Sequence, residues 1–244
     1  MNKKINIAIL GCGRISKKHI QAIKQNSKKF SLIGFCDKNI NKLNKIKYKI
    51  NKFNSINQLL SSRLKIDLVS ICTPSGLHKI HAKKCLENNF NVLIEKPMAL
   101  TERDAKEIIK VSKKYKKKVF ICLQNRFNPT ITFLKKNLEN KKLGKIYFVT
   151  VNILWHRSQS YYNQDYWRGT KKFDGGALMN QSIHFIDLII WFFGEIKKKQ
   201  IIRSRLARNI ETEDTATMNI LFENKIICSF SSTMLVNKKN YEGS

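Results

Sequence analysis

The sequence predicts an α/β protein: a doubly wound parallel sheet in the first half, followed by an α+β domain with an open, mainly antiparallel sheet. Three observations carry that prediction. Up to about residue 124, short apolar runs alternate with longer stretches of helical periodicity. A glycine-rich string joins the first apolar run to the first helical stretch. Past that point the alternation stops and strand-like segments dominate.

The elements follow in order. Strands are expected at INIAIL (5–10), SLIGFC (31–36), DLVSIC (67–72), NVLIE (91–95) and VFICLQ (119–124). Between them SKKHIQAIKQNS, NKLNKIKYKI, HKIHAKKCLENN and TERDAKEIIKVSKKY carry hydrophobics at helical spacing. Thr101, followed by Glu102 and Asp104, supplies a cap and an acidic first turn to the last of these. In the second half IYFVTVNILWH (146–156) alternates like a half-buried strand, and a loop rich in aromatic and polar residues follows at 158–176. ALMNQSIHFIDLIIWFF (177–193) reads as one helix ending at Gly194, a plausible C-cap. KKQIIRSRLA, DTATMNILFE and KIICSFSSTMLV are the remaining strands. The expected domains are 1–124 and 125–244.

Composition narrows the function classes. The 244 residues hold 47 Lys+Arg against 17 Asp+Glu, a formal charge of +30. Such a surplus invites nucleic acid, but the bases are mostly lysines dispersed over every helical stretch, among abundant Asn and Ile. A solvated-face bias fits that dispersal better than a nucleic-acid patch, and the charge still draws small anions. The six cysteines lie mostly in or beside apolar runs without a C-x-x-C pair, so neither disulfides nor a zinc site is expected. No metal is expected elsewhere. MNKKINIAIL is too short for a signal peptide, and no run approaches the roughly 20 apolar residues of a membrane span. The expectation is a cytoplasmic protein with no membrane partner.

The glycine string is Gly11-Cys12-Gly13-Arg14-Ile15-Ser16. Between a strand and a helix it is the dinucleotide fingerprint: Gly11 permits the turn, Gly13 admits a pyrophosphate, and the helix N-terminus faces the anion. Ser16 stands in for the third glycine. Asp37, about twenty residues on, is placed to accept ribose hydroxyls and to repel a 2′-phosphate, favouring NAD over NADP; Lys38 beside it softens that preference. A plain turn residue is the other reading of Asp37. Thr73 and Pro74 close the third expected strand at the carboxyl edge of the sheet, where they border a cofactor or merely turn the chain.

Glu95-Lys96-Pro97 ends the next strand at that same edge. Pro97 restricts Lys96 to extended geometry, so the ammonium is aimed, and partial burial suits it to proton handling. The alternative is one more surface lysine. Farther on, Asn180, His184 and Asp187 fall at i, i+4 and i+7 and share one helix face. Either His184 takes a proton from a hydroxyl while Asn180 orients it and Asp187 steadies the imidazole, or His184 is a core histidine satisfied by Asp187.

Taken together, G-x-G-x-x-S, Asp37, T-P with His78 and His81 behind it, E-K-P and G-G-x-x-x-N-x-x-x-H resemble the Gfo/Idh/MocA oxidoreductase family over essentially the whole chain, in motif order. The resemblance implies a Rossmann domain holding NAD through Gly11, Gly13, Arg14, Ile15, Asp37, Thr73, Pro74, His78 and Glu95. It implies Lys96 and His184 as the catalytic pair, and it raises the expectation of a cis Lys96–Pro97 bond. SYYNQDYWRGT followed by GGALMNQSIH looks most like the UDP-sugar branch, the UDP-N-acetylglucosamine and UDP-N-acetylglucosaminuronate 3-dehydrogenases of surface-polysaccharide synthesis. Many relatives carry aspartate where Asn180 stands, and the pair Asn180-Gln181 suits the nucleotide-sugar group. The small-molecule substrate would then meet Lys96, Gln124, Asn125, Arg157, Trp167, Arg168, Asn180, Gln181 and His184. Guanidinium groups grip phosphate or carboxylate and the loop aromatics offer flat faces, unless they only pin the loop. A dehydrogenase for another sugar or cyclitol, or a homologue that binds without turnover, are the competing readings. Relatives run on beyond the equivalent of Ser244, so the second domain is expected to be truncated, and the homo-oligomer common in the family is not counted on.

Overall fold

The computed structural model describes residues 3–244, which divide after Cys122 into two compact units. In the first, strands β1 (Ile5–Leu10), β2 (Phe30–Cys36), β3 (Asn51–Phe53), β4 (Leu68–Ile71), β5 (Asn91–Glu95) and β6 (Val119–Cys122) form one sheet in the order β3-β2-β1-β4-β5-β6. Every pairing is parallel. Helices α1 (Ser16–Gln25), α2 (Ile40–Asn44), α3 (Ile56–Leu60), α4 (His78–Glu87) and α5 (Glu102–Lys114) connect them.

Alternation explains the layering. Ala8 and Leu10 join the core cluster that holds Val69, Ile71, Val92 and Ile94, whereas Ile7 and Ile9 join Ile23, Phe35 and Leu43. Both faces of β1 are therefore covered, as a parallel sheet requires. Thr101 caps α5 by accepting from the Asp104 amide. Two expectations are corrected here. Asn51–Phe53 is a sixth, edge strand where none was expected, because three polar-flanked residues carry no periodicity. The helix expected over 41–50 stops at Asn44, and the chain then continues to β3.

The second unit opens with a 3-10 turn (Gln124–Phe127) and α6 (Pro129–Glu139). Then come β7 (Phe148–Leu154), α7 (Gln159–Asn163), a π-helical segment (Leu178–Ser182), α8 (Ile183–Phe193), β8 (Ile196–Ser204), β9 (Thr215–Phe222), β10 (Ile227–Thr233) and β11 (Glu242–Gly243). Its sheet runs β11-β7-β10-β9-β8, with β7 and β10 parallel and the other pairs antiparallel. Val151, Ile153, Met218, Ile220, Cys228 and Phe230 form one buried cluster with Leu178 and Ile189. The helix expected over 177–193 is thus two pieces: the first turn widens into a π-helix before α8 begins. Among the described residues no helix is long and apolar enough to cross a membrane.

Candidate functional site

In the first unit the strand ends place the glycine string against the neighbouring turns. Gly11 has φ +96, and its amide donates to Cys36 O at 2.7 Å. A Cβ there would sit 2.8 Å from the Cys72 and Thr73 backbone, so only glycine fits. Gly13 is different: a Cβ on it would meet nothing within 4 Å. The loop is open where a ligand backbone would approach. Ser16 is buried and donates from Oγ to Gly13 O at 2.7 Å, tying the loop to the first turn of α1. Arg14 and Ile15 are exposed on the rim.

Asp37 closes the loop from the β2 side, its two oxygens accepting from the Cys12 and Asn39 amides at 2.7 and 2.8 Å. Each oxygen keeps a further lone pair for a ribose hydroxyl. Cys12 in the loop stays a thiol, pushed up to about 12 by burial and by Asp37. A dinucleotide fits this donor and acceptor set: open backbone at Gly13, the positive end of α1, and a carboxylate at the end of β2.

At the end of β4, Thr73 Oγ1 lies 3.0 Å from His81 Nδ1. Burial lowers His81 to about 4, so the ring is neutral at ordinary pH. His78 was expected to touch the cofactor, but its ring is 1% exposed and committed to backbone: Nδ1 is 2.7 Å from Pro97 O and Nε2 2.9 Å from Thr73 O. It braces the two turns instead. Glu95 differs from expectation in the same way. Its carboxylate turns inward to His19 Nε2 at 2.8 Å and is 7% exposed. Burial pushes this carboxyl up, but the hydrogen bond from His19, with Lys96 and Cys122, brings it below its ordinary value. Lys96 follows half-buried, and its bond to Pro97 is cis. His19, Glu95 and Cys122 are the one trio among the described residues spaced for a metal ion. Hydrogen bonds between them account for that spacing.

In the second unit the π-helix carries the polar residues. Asn180 donates its side-chain amide to Asp174, which also accepts from the Gly169 amide at 2.7 Å. Leu178 N donates to Glu213 Oε1 at 3.0 Å, and Gly176, at φ +93, leaves the room that this buried carboxylate fills. The extra residue of a π turn needs such outside partners for its backbone. Gln181 is 5% exposed, and its Nε2 lies 3.3 Å from Tyr161 OH.

His184 is the second residue of α8, and its Nε2 is 3.4 Å from Gln124 Nε2. An amide NH2 only donates, so this contact presents His184 Nε2 as an acceptor. The expectation that Asp187 steadies the imidazole is overturned. Asp187 pairs with Arg126 through two bonds of 2.5 and 2.8 Å, because Arg126 on the 3-10 turn reaches α8 with a matching fork. That guanidinium also lies over Trp191. Asn125 contributes its carbonyl to the same turn, accepting from Asn128 N.

The loop aromatics and arginines form one ladder. Arg157 lies over Trp155 and Tyr161, and Arg168 over Tyr161 and Trp167 at 4.4 and 4.6 Å. Arg168 is 9% exposed with its Nε on Asp165, so it pins the loop from within. Arg157 donates to His156 O and Asn240 Oδ1. Sequence reasoning missed His19 and Glu213, named Arg126 only as a substrate contact beside Gln124 and Asn125, and gave Asp174 no role of its own. The signal was there for Asp174 alone, an acid six residues before Asn180 beside two glycines.

Comparison with known proteins fits this arrangement. Residues 5–122 match the family model described as an oxidoreductase family, NAD-binding Rossmann fold, and residues 131–243 match the GFO/IDH/MocA C-terminal domain. The chain superposes on the WlbA dehydrogenase of Chromobacterium violaceum, solved with NADH and UDP-GlcNAcA, at TM-score 0.97 and 39% identity, covering 99% of this chain and 70% of that one. It belongs to the Gfo/Idh/MocA family. The Bordetella pertussis WlbA dehydrogenase, also solved with NADH and UDP-GlcNAcA, gives TM-score 0.97 at 37% identity over 100% of this chain and 73% of that one. Among curated relatives, the Escherichia coli D-glucoside 3-dehydrogenase is 25% identical over 78% of this chain and 54% of its own length. The chain spans from about a third to about a half of the first curated relatives it matches.

Proposed function

We propose that this chain takes part in NAD-dependent oxidation of a sugar hydroxyl, with a UDP-N-acetylhexosamine or its uronate as substrate and C3 as the position oxidised. The observation that carries the reading is the 39% identity over nearly the whole chain to a dehydrogenase solved with NADH and UDP-GlcNAcA. It is supported by Asn180 and Gln181 on the π-helix ahead of His184. Gly11, Gly13 and Asp37 would hold the dinucleotide, and bound NAD supplies the hydride acceptor. The residues of the chain handle the proton. Lys96 offers an ammonium to the substrate hydroxyl, and His184 presents Nε2 as an acceptor for its proton. Asn180 orients the sugar through its side-chain oxygen. The guanidinium of Arg157 and the ring of Tyr161 face the nucleotide diphosphate and base. A product of this kind, a 3-keto nucleotide sugar, belongs to surface-polysaccharide precursor synthesis.

The test is thermal unfolding of the purified chain alone, with NAD, and with NAD plus UDP-N-acetylglucosaminuronate. A ligand at 100 times its Kd adds about 2.7 kcal/mol, so two stepwise rises in Tm are expected, with NADH appearing on turnover. Lys96→Met should lower turnover by about 10²–10⁴ and keep the rise with NAD. A cooperative melt indifferent to both ligands would sink the reading.

A further inference from the structure

Beneath the end of β5 a file of polar side chains runs through an otherwise apolar interior. Ser70 Oγ is 2.9 Å from His19 Nδ1, and His19 Nε2 is 2.8 Å from Glu95 Oε1. The Cys122 thiol bonds the same carboxylate, and Glu95 Oε2 accepts from the Lys96 amide at 3.2 Å. Ser70, His19 and Glu95 are 1%, 9% and 7% exposed. A carboxylate only accepts, so Nε2 carries the proton of the His19 bond, and Nδ1 then accepts from the Ser70 hydroxyl.

Packing alone gives no reason for this file. A buried carboxylate is costly to desolvate, and an apolar side chain of similar size would fill the space at less cost. What distinguishes the position is its neighbour in sequence, Lys96. The titratable groups that bear on Glu95 are His19 from α1, Cys72 at the end of β4, Lys96 after β5, Cys122 from β6 and His78 from α4. Burial keeps both thiols protonated and lowers His78, whose ring nitrogens face the Pro97 and Thr73 carbonyls. The His19 hydrogen bond and the Lys96 charge are left to offset the anion.

We propose that His19, backed by Ser70, is a positioning residue for Lys96: it holds the Glu95 carboxylate ionised and turned inward, where its charge bears on the Lys96 ammonium. The inference rests on the reading of Lys96 as the proton-handling group, but its test needs no substrate. Without the His19 donor, desolvation of Glu95 is no longer compensated. The carboxylate is then no longer held inward beside the strand end, and Lys96 loses a fixed neighbouring negative charge.

The experiment is competitive acetylation of the intact chain with trace acetic anhydride from about pH 7 to 11, spanning the ordinary lysine range. Lys96 is followed by peptide mass spectrometry in the wild type and in His19→Leu, His19→Gln and Ser70→Ala. His19→Leu should move the Lys96 midpoint down by at least about half a pH unit. His19→Gln, whose amide still donates to Glu95, should stay near wild type, and Ser70→Ala should shift less than His19→Leu in the same direction. Should His19→Leu not fold, Ser70→Ala carries the comparison by itself. An unmoved or raised midpoint in the folded variants, or equal shifts in the Gln and Leu variants, overturns the proposal. Wild-type chain that never forms NADH would sink the dehydrogenase reading and leave this readout intact.

Discussion

Asp174 accepts a hydrogen bond from the Asn180 side chain and another, 2.7 Å long, from the Gly169 amide, and it is 1% exposed. A carboxylate has no proton to offer, so the pairing selects the NH2 end of Asn180 and turns its oxygen the other way. The orientation of the Asn180 amide is therefore decided by Asp174. Replacing Asn180 with Asp sets two carboxylates against each other. We expect Asn180→Asp to lose about 1–3 kcal/mol at pH 8. One carboxyl of the pair should titrate upward, so the folded variant binds more protons than the unfolded chain and its stability recovers as pH falls. Tm of variant and wild type from pH 5 to 8, where the gap should narrow toward the acid end, checks this.

The two loop glycines separate fold from ligand. Gly11→Ala combines a positive φ with a 2.8 Å clash against backbone, and should cost about 1–3 kcal/mol, or several degrees of Tm. Gly13→Val adds atoms into open space. Its Tm should stay within about 2 °C of wild type, while NADH affinity drops at least about tenfold, the 1.4 kcal/mol of one blocked contact. Differential scanning fluorimetry and NADH fluorescence titration give both numbers.

Arg126 and Asp187 join the 3-10 turn to α8 and thereby hold Gln124 next to His184. The two side chains are 34% and 13% exposed, so the pair is partly screened. Arg126→Ala should cost roughly 1–2 kcal/mol, since it strands the less exposed partner. Urea denaturation should report this as a lower midpoint at unchanged slope. Arg126→Lys should restore only part, because an ammonium cannot make the two-pronged contact.

Glu95 sets a stability window. Its folded carboxyl titrates below the ordinary value, so its contribution is present above the unfolded pKa near 4.3 and is lost as pH falls through the lower folded pKa. Glu95→Gln should therefore destabilise at pH 7 and show a shallower loss of Tm than wild type below about pH 4. Parallel acid profiles would contradict the assignment.

Much of the first unit was legible because a parallel sheet buried on both faces writes itself as apolar runs. Ile7, Ile9, Ala8 and Leu10 had to be apolar on both sides of β1. Gly11 was legible because close backbone approach excludes other residues there, and Gly13 because a pyrophosphate would approach its backbone. β3 was not legible: Asn51–Phe53 is an edge strand held by main-chain bonds, which leave no mark on side-chain type. The π-helix escaped as well, since the apolar period of 177–193 reads the same with one widened turn.

The sequence by itself determined the order of elements, the fingerprint loop and the placing of Lys96 at a strand end, all of which rest on local period and backbone tolerance. Tertiary structure alone decided the partners of the polar side chains. Glu95 went to His19, Asp187 to Arg126 and Asn180 to Asp174. The first two pairs join residues 76 and 61 positions apart, and the third crosses a turn into a π-helix. Hydrogen-bond partners are chosen by distance in space, which helical and strand periodicity do not encode.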